Sequence, residues 1–227
     1  MDSGVGGVWT LNKIKAILPK ENYIYFMDRF NAPYGNKSTV KLKKLAYRHI
    51  ARLCKVFDIK LVVLACNTLS SVCYNFLKRK FLTLPIIKIE PFLNPYEFQN
   101  KNTLVLATIN TIKHNKNLNI YKDYSNIFLK GYGSLAKKID AANGNYEQLL
   151  PYLKKSLNRY KDKNIQNIVL GCTHFNYIKK QLTKIFGEVD FFENSPIVAN
   201  RVESILLKLG KKNKKNKQPQ TLFVYKI

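Results

Sequence analysis

Two segments of this chain end in the same way. Residues 61–68 read LVVLACNT and residues 167–174 read NIVLGCTH. In each, a run of β-branched and leucine residues stops at one small residue, Ala65 or Gly171. A cysteine follows at once, with hydroxyl, amide or imidazole groups beside it. Such a run is a buried strand delivering a thiol to its carboxyl end, where open α/β sheets collect their ligands. Two of them, far apart in the chain, call for two equivalent α/β units. They also imply a pair of thiols, Cys66 and Cys172, facing each other across one pocket.

The rest of the chain fits that frame. Strands are expected at residues 23–27, 59–65, 85–89, 103–107, 127–130, 165–170, 189–192 and 222–225. Between them fall an amphipathic helix ending at Pro19 and a long helix capped by Ser38. Further helices are expected at residues 69–80, from about Ile109, within 134–160, at 175–186 and from Pro196. Alternation of this kind argues for mainly parallel sheets wrapped by helices. Glu90-Pro91 and Asn94-Pro95 punctuate the middle and place a domain boundary near residue 92. The expected fold is thus α/β, two similar three-layer domains with the active site in the cleft between them.

Composition excludes several classes. Among 227 residues, 46% are hydrophobic and 12% aromatic, which are globular values. No apolar run approaches a membrane span, and the N-terminus lacks a basic-then-apolar signal layout. Four scattered cysteines suit a reduced, cytoplasmic protein. The net charge of +25 raises the question of nucleic acid. Only six of the 39 basic residues are arginine, however, and the lysines are spread over every helix. That is a solvated surface rather than a base-reading one, and nucleic acid is not expected as a partner. The one dense cluster, Lys211 to Lys217, reads as a loop between the last helix and the last strand.

Chemistry concentrates at few residues. Cys54 and Cys73 lie within helices and are expected to be small buried hydrophobes. Cys66 and Cys172 each begin a helix, whose N-terminus is expected to lower a thiol pKa from roughly 8.5. Neither has a second ligand at CxxC spacing, so no metal is expected. His174 is the histidine beside a candidate nucleophile. His49 falls on an apolar helix face as a core or boundary histidine, and His114 is expected at the surface. Asp2 to Gly7 form a glycine-rich loop before a helix, which by itself reads as an anion-binding turn.

Taken in order, DSGVGG, PYGNKS, ACNT, IEP, ATINT and GCTHF match the motifs of the cofactor-independent amino-acid racemases, and the set resembles glutamate racemase from Met1 to about Arg201. The resemblance implies two α/β domains, residues 1–91 plus about 198–227 and residues 92–197. It implies an isomerase without pyridoxal phosphate or any other cofactor, interconverting L- and D-glutamate for peptidoglycan synthesis. By resemblance Cys66 and Cys172 are the two catalytic acid/bases, with Asp2 assisting near Cys66 and His174 near Cys172. Asp2, Ser3, Tyr34, Gly35, Asn67, Thr68, Thr108, Thr111, Thr173 and His174 match positions that bind the amino acid. Family members are commonly dimers, so a homodimer is open.

Some residues depart from the family. A strand of the type Ile-Gly-Val-Phe usually precedes the Asp-Ser-Gly loop. Here the first domain is expected to lack it, leaving Asp2 next to a fraying end. Asp140 stands where a glutamate is usual, and Asn31 where an arginine is common. Two rival readings remain: a racemase of aspartate or another amino acid, and a basic protein that has lost catalysis and binds nucleic acid.

Overall fold

The computed structural model describes residues 1–91, 94–98, 100–215 and 217–227. The boundary expected near residue 92 falls outside them. The helices are α1 (Gly6–Ile17), α2 (Thr39–Val56), α3 (Asn67–Lys80), α4 (Pro95–Phe98), α5 (Ile109–His114), α6 (Lys116–Ile120), α7 (Leu135–Ala142), α8 (Leu150–Leu157), α9 (Lys179–Phe186) and α10 (Ser195–Lys208). The strands are β1 (Tyr23–Phe26), β2 (Val62–Leu64), β3 (Ile86–Lys88), β4 (Thr103–Thr108), β5 (Ile127–Tyr132), β6 (Asn167–Gly171), β7 (Asp190–Phe192) and β8 (Thr221–Val224). All pairings among these strands are parallel. The α/β alternation read from the sequence is therefore the fold.

One sheet is complete, with order β5-β4-β6-β7. Its central strands β4 and β6 are buried along their whole length, which explains their unbroken apolar runs. One face packs Leu104, Leu106, Ile168 and Leu170 against α7, α8 and α9. The other face packs Val105 and Val169 against Phe98, Leu118 and Tyr121.

The other sheet is split. β1 pairs with β8, and β2 with β3, as two separate two-stranded ribbons. Helices α2 and α3 cover one side through Leu42, Ala46, Ile50, Leu69 and Leu77. Helices α1 and α10 cover the other through Ile14, Leu18, Val198, Val202 and Leu206. Between the ribbons, Met1 and Asp2 act as the last rungs of an intervening strand. Asp2 N donates to Phe26 O at 3.1 Å, and Asp28 N donates to Asp2 O at 3.0 Å. On the far side Ala65 N donates to Met1 O at 3.0 Å, and the Met1 amine donates to Val63 O at 3.0 Å. The fraying expected of this end is corrected: four ladder bonds pin it, and Asp2 is wholly buried. Beyond Met1 an apolar groove of about 350 Å³ continues between β1 and β2.

Local signals explain the element ends. Ser38 Oγ accepts from Lys41 N, as expected of an N-cap. Pro196 sits in the first turn of α10, where its missing N–H leaves no gap. The helix expected at 175–186 begins instead as a 3-10 turn over Thr173–Ile178 and becomes α-helical at Lys179. Cys54 is exposed rather than buried. It lies one residue, a rotation of about 100°, beyond the inward-facing Leu53.

Candidate active site

Strand β2 ends in Ala65, and Cys66 caps α3. Strand β6 ends in Gly171, and Cys172 caps the 3-10 turn that follows. The two caps come from different sheets, and charge on Cys172 acts on the Cys66 thiol. Both are nearly enclosed, at 8% and 6% exposure.

Each thiol has its own polar neighbour. Cys172 Sγ lies 3.8 Å from His174 Nδ1. On the far side of the ring, Nε2 stands 3.2 Å from Asp140 Oδ1, near enough to pair charges but off the angle of a good hydrogen bond. The shorter Asp140 thus reaches the place expected of a glutamate. Burial opposes charge on His174, yet Asp140, Cys172 and Asp2 together hold its pKa well above the ordinary imidazole value. Near Cys66 the neighbour is Asp2. Its Oδ1 accepts from Gly4 N at 2.8 Å and its Oδ2 from Thr173 Oγ1 at 3.1 Å. Burial raises the Asp2 pKa, against the pull of His174.

The helix-dipole expectation fails for Cys66. Burial pushes its thiol well up and the Asp2 carboxylate adds to the rise. Backbone N–H groups of Leu69 and Thr68, the helix N-terminus itself, pull the other way and lose. In the glycine-rich loop Gly4 N is taken by the chain's own Asp2. Glycine is needed at position 4 for close approach, because a Cβ there would lie 2.6 Å from both Asp140 Oδ2 and His174 Nε2.

Of the remaining residues singled out in the sequence, the threonines of the two motifs are brought together. Thr68 Oγ1 and Thr108 Oγ1 are 2.9 Å apart, and Thr108 Oγ1 and Thr111 Oγ1 also 2.9 Å, a hydroxyl chain crossing from one sheet's loops to the other's. Ser3, Tyr34, Gly35, Asn67 and Thr173 are buried. Asn67 Oδ1 is buried without a hydrogen-bond partner, an open polar valence facing no protein donor. Among the described residues no cluster of His, Cys, Asp or Glu could hold a metal ion, and no helix is long and apolar enough to cross a membrane. His114 is half-buried at the rim of α5.

One supporting group escaped the sequence reading. Asp28 Oδ2 accepts from Tyr34 Oη at 2.7 Å and pairs with His49 Nε2 at 3.1 Å, while its Oδ1 accepts from Asn31 Nδ2 at 2.9 Å. The available signal was His49, a polar residue on an apolar stripe that had to find a partner. Burial opposes the Asp28 charge, but these three donors outweigh it and lower its pKa to about 2. The carboxylate therefore contributes stability that is full above the ordinary aspartate value and is lost as pH falls toward 2. Asp28→Asn is expected to cost about 2 kcal/mol at neutral pH. It should also flatten the acid limb of stability between pH 4 and 2 in urea titrations. An unchanged acid limb would deny the role.

No protein-family model matches the chain. Curated relatives do. The glutamate racemase of Clostridium novyi (strain NT) is 38% identical over 192 residues, which cover 82% of this chain and 74% of that protein. Glutamate racemase 2 of Bacillus subtilis (strain 168) is 35% identical over 216 residues, covering 90% and 80%. Among solved structures, Escherichia coli glutamate racemase in complex with L-glutamate and the activator UDP-MurNAc-ala aligns with a TM-score of 0.83 at 25% identity. The alignment covers 98% of this chain and 86% of that one. The Francisella tularensis enzyme in complex with D-glutamate aligns with a TM-score of 0.82 at 29% identity, covering 100% and 87%.

Proposed function

The chain belongs to the glutamate racemase family of isomerases, and from that premise we propose that it inverts glutamate by proton transfer between Cys66 and Cys172. The observation that supports this reading is a pair of buried thiols at equivalent strand ends, each with its own acid/base neighbour. Removing the Cα proton from one face of an amino acid and returning one to the other requires a thiolate on one side and a thiol on the opposite side. In one direction Cys66 takes the proton and the electron pair stays on Cα. Cys172 then supplies a proton from the other face, and the roles exchange for the reverse direction.

Asp2 acts on the Cys66 side, and His174, held by Asp140, on the Cys172 side. The Cys66 pKa is raised first by burial and then by the Asp2 carboxylate. A substrate ammonium seated beside Asp2 offsets that carboxylate and favours the thiolate. Carbanion charge spreads into the substrate carboxylate, which Ser3, Asn67, Thr68, Thr108, Thr111 and Thr173 are suited to bind through hydroxyl, amide and backbone N–H donors. Tyr34 and Gly35 shape the wall opposite Thr108. No cofactor is invoked.

The same reading takes residues 1–91 with about 198–227 as one domain and residues 92–197 as the other. It takes a cytoplasmic enzyme that supplies D-glutamate for peptidoglycan. The test is proton exchange at Cα in deuterated water without pyridoxal phosphate. Loss of the Cα–H signal of L-glutamate with appearance of D-glutamate is the expected result. Faster exchange on L-aspartate would overturn the substrate assignment, and silence on both from a folded sample would overturn the racemase reading.

A further inference from the structure

Asn110 lies between the two threonines of the ATINT segment. It is buried in the first turn of α5. Its Nδ2 donates to Lys37 O at 2.8 Å and to Tyr34 O at 3.3 Å. Both acceptors are main-chain carbonyls of the loop before α2, which belongs to the other sheet's layers. A single side-chain amide on one body therefore holds the backbone of a loop on the other.

That loop is the one whose Tyr34 hydroxyl is anchored on Asp28. Its next residue, Gly35, packs so closely that a Cβ would lie 3.1 Å from Thr108 Cβ. At the far end of α5 Asn115 Nδ2 donates to Glu90 Oε1 at 3.4 Å, and beside the loop Thr68 bonds Thr108 directly. Those hydroxyls are in the set assigned above to the substrate, so that bond is exchanged when substrate enters. The Asn110 bonds end on backbone carbonyls and need not be surrendered.

We infer that Asn110 is a latch between the two bodies, a positioning residue that holds the Tyr34–Gly35 loop against Thr108 and keeps the thiol cleft closed. The inference concerns the same cleft as the racemase reading and deepens it. Its geometry stands whether or not glutamate is the substrate. With both cysteines below a tenth exposed, reagents and substrate reach them only when the bodies part. Loosening the latch raises the population of the open form.

The experiment is alkylation by iodoacetamide, followed cysteine by cysteine by peptide mass spectrometry on the full chain. Exposed Cys54 serves as an internal reference. Two variants are compared: Asn110→Ala, which removes the donor, and Asn110→Asp, which turns a carboxylate oxygen toward two carbonyl oxygens. The expected order of alkylation rates at Cys66 and Cys172 is Asp variant, then Ala variant, then unchanged chain. The Ala variant should gain about 5-fold, the worth of one or two net hydrogen bonds, with Cys54 constant and far-UV circular dichroism unaltered. KM for glutamate is expected to rise by a similar factor while kcat changes less than about 2-fold.

Unchanged alkylation in the folded Ala variant overturns the latch, even if racemisation is present. Faster alkylation without any exchange of glutamate keeps the latch and removes the racemase reading instead. A fall in kcat with KM and alkylation constant would assign Asn110 to the chemistry and also overturn the latch. If the Asp variant does not fold, the Ala variant alone decides.

Discussion

Cys66→Ala and Cys172→Ala are each expected to stop racemisation of glutamate, by about 10³-fold or more, the scale of a positioned acid/base group. The two variants should not fail identically. With one thiol left, the enzyme can still remove and return a proton on the face that thiol serves. Each variant should therefore wash deuterium into one enantiomer without inverting it, and the two should choose opposite enantiomers. Exchange is followed by proton NMR and inversion by chiral chromatography. Racemisation surviving either substitution would end the two-thiol mechanism. The same enantiomer exchanging in both variants would mean that the thiols share one face. Because both side chains are small and buried, loss of the sulfur opens a void about the size of one methyl group. Such a cavity costs on the order of 1 kcal/mol, too little to confuse with loss of fold.

The thiol pair was legible because its signal is local and repeated: strand, small residue, cysteine. The parallel architecture was legible for the same reason, since β4 and β6 carry unbroken apolar runs that only doubly covered strands tolerate. What the sequence hid depends on contacts between distant residues. Asp28 sits in an ordinary turn and becomes a hub only because His49 and Tyr34 fold onto it. Asn110 stands between the two threonines of its motif, and nothing local says that its amide reaches Tyr34 and Lys37. The Cys66 pKa was misjudged because helix position is visible in sequence and depth of burial is not. The dipole's effect near a helix end is about 1 kcal/mol at the surface, and desolvation in a closed cleft outweighs it.

Extending the chain ahead of Met1 by five apolar, β-branched residues is expected to fill the groove between β1 and β2 and join the two ribbons. The groove is walled on one side by Leu11, Ile14, Leu18, Val202 and Leu206, and on the other by Ile50 and Leu53. A strand laid there would bury alternate side chains on both faces. Phe26 O is already taken by Asp2 N, and Val63 O by the Met1 amine. By the alternation of a parallel ladder, Ile24 and the N–H of Val63 present their remaining backbone groups to the groove. The Met1 amine itself pays for its position: burial lowers its pKa from 8.0 to about 6. Below pH 8 the unfolded amine binds a proton that the folded one resists, so stability falls as pH drops from 8 through 6. A peptide bond in its place keeps the N–H donor to Val63 O and removes the titration.

Side-chain burial of roughly 2 kcal/mol per residue plus the new ladder bonds exceeds backbone ordering of about 1–2 kcal/mol per residue. A net gain near 3 kcal/mol would raise Tm by roughly 10 °C at this chain length. The slope of stability between pH 6 and 8 should flatten in the same variant. A Gly-Ser extension of equal length removes the amine without filling the groove, so it should flatten the slope but leave Tm at pH 8 nearly unchanged. Equal Tm gains from the two extensions would mean that the groove does not take a strand. A preserved pH slope in both would mean that some other group sets it.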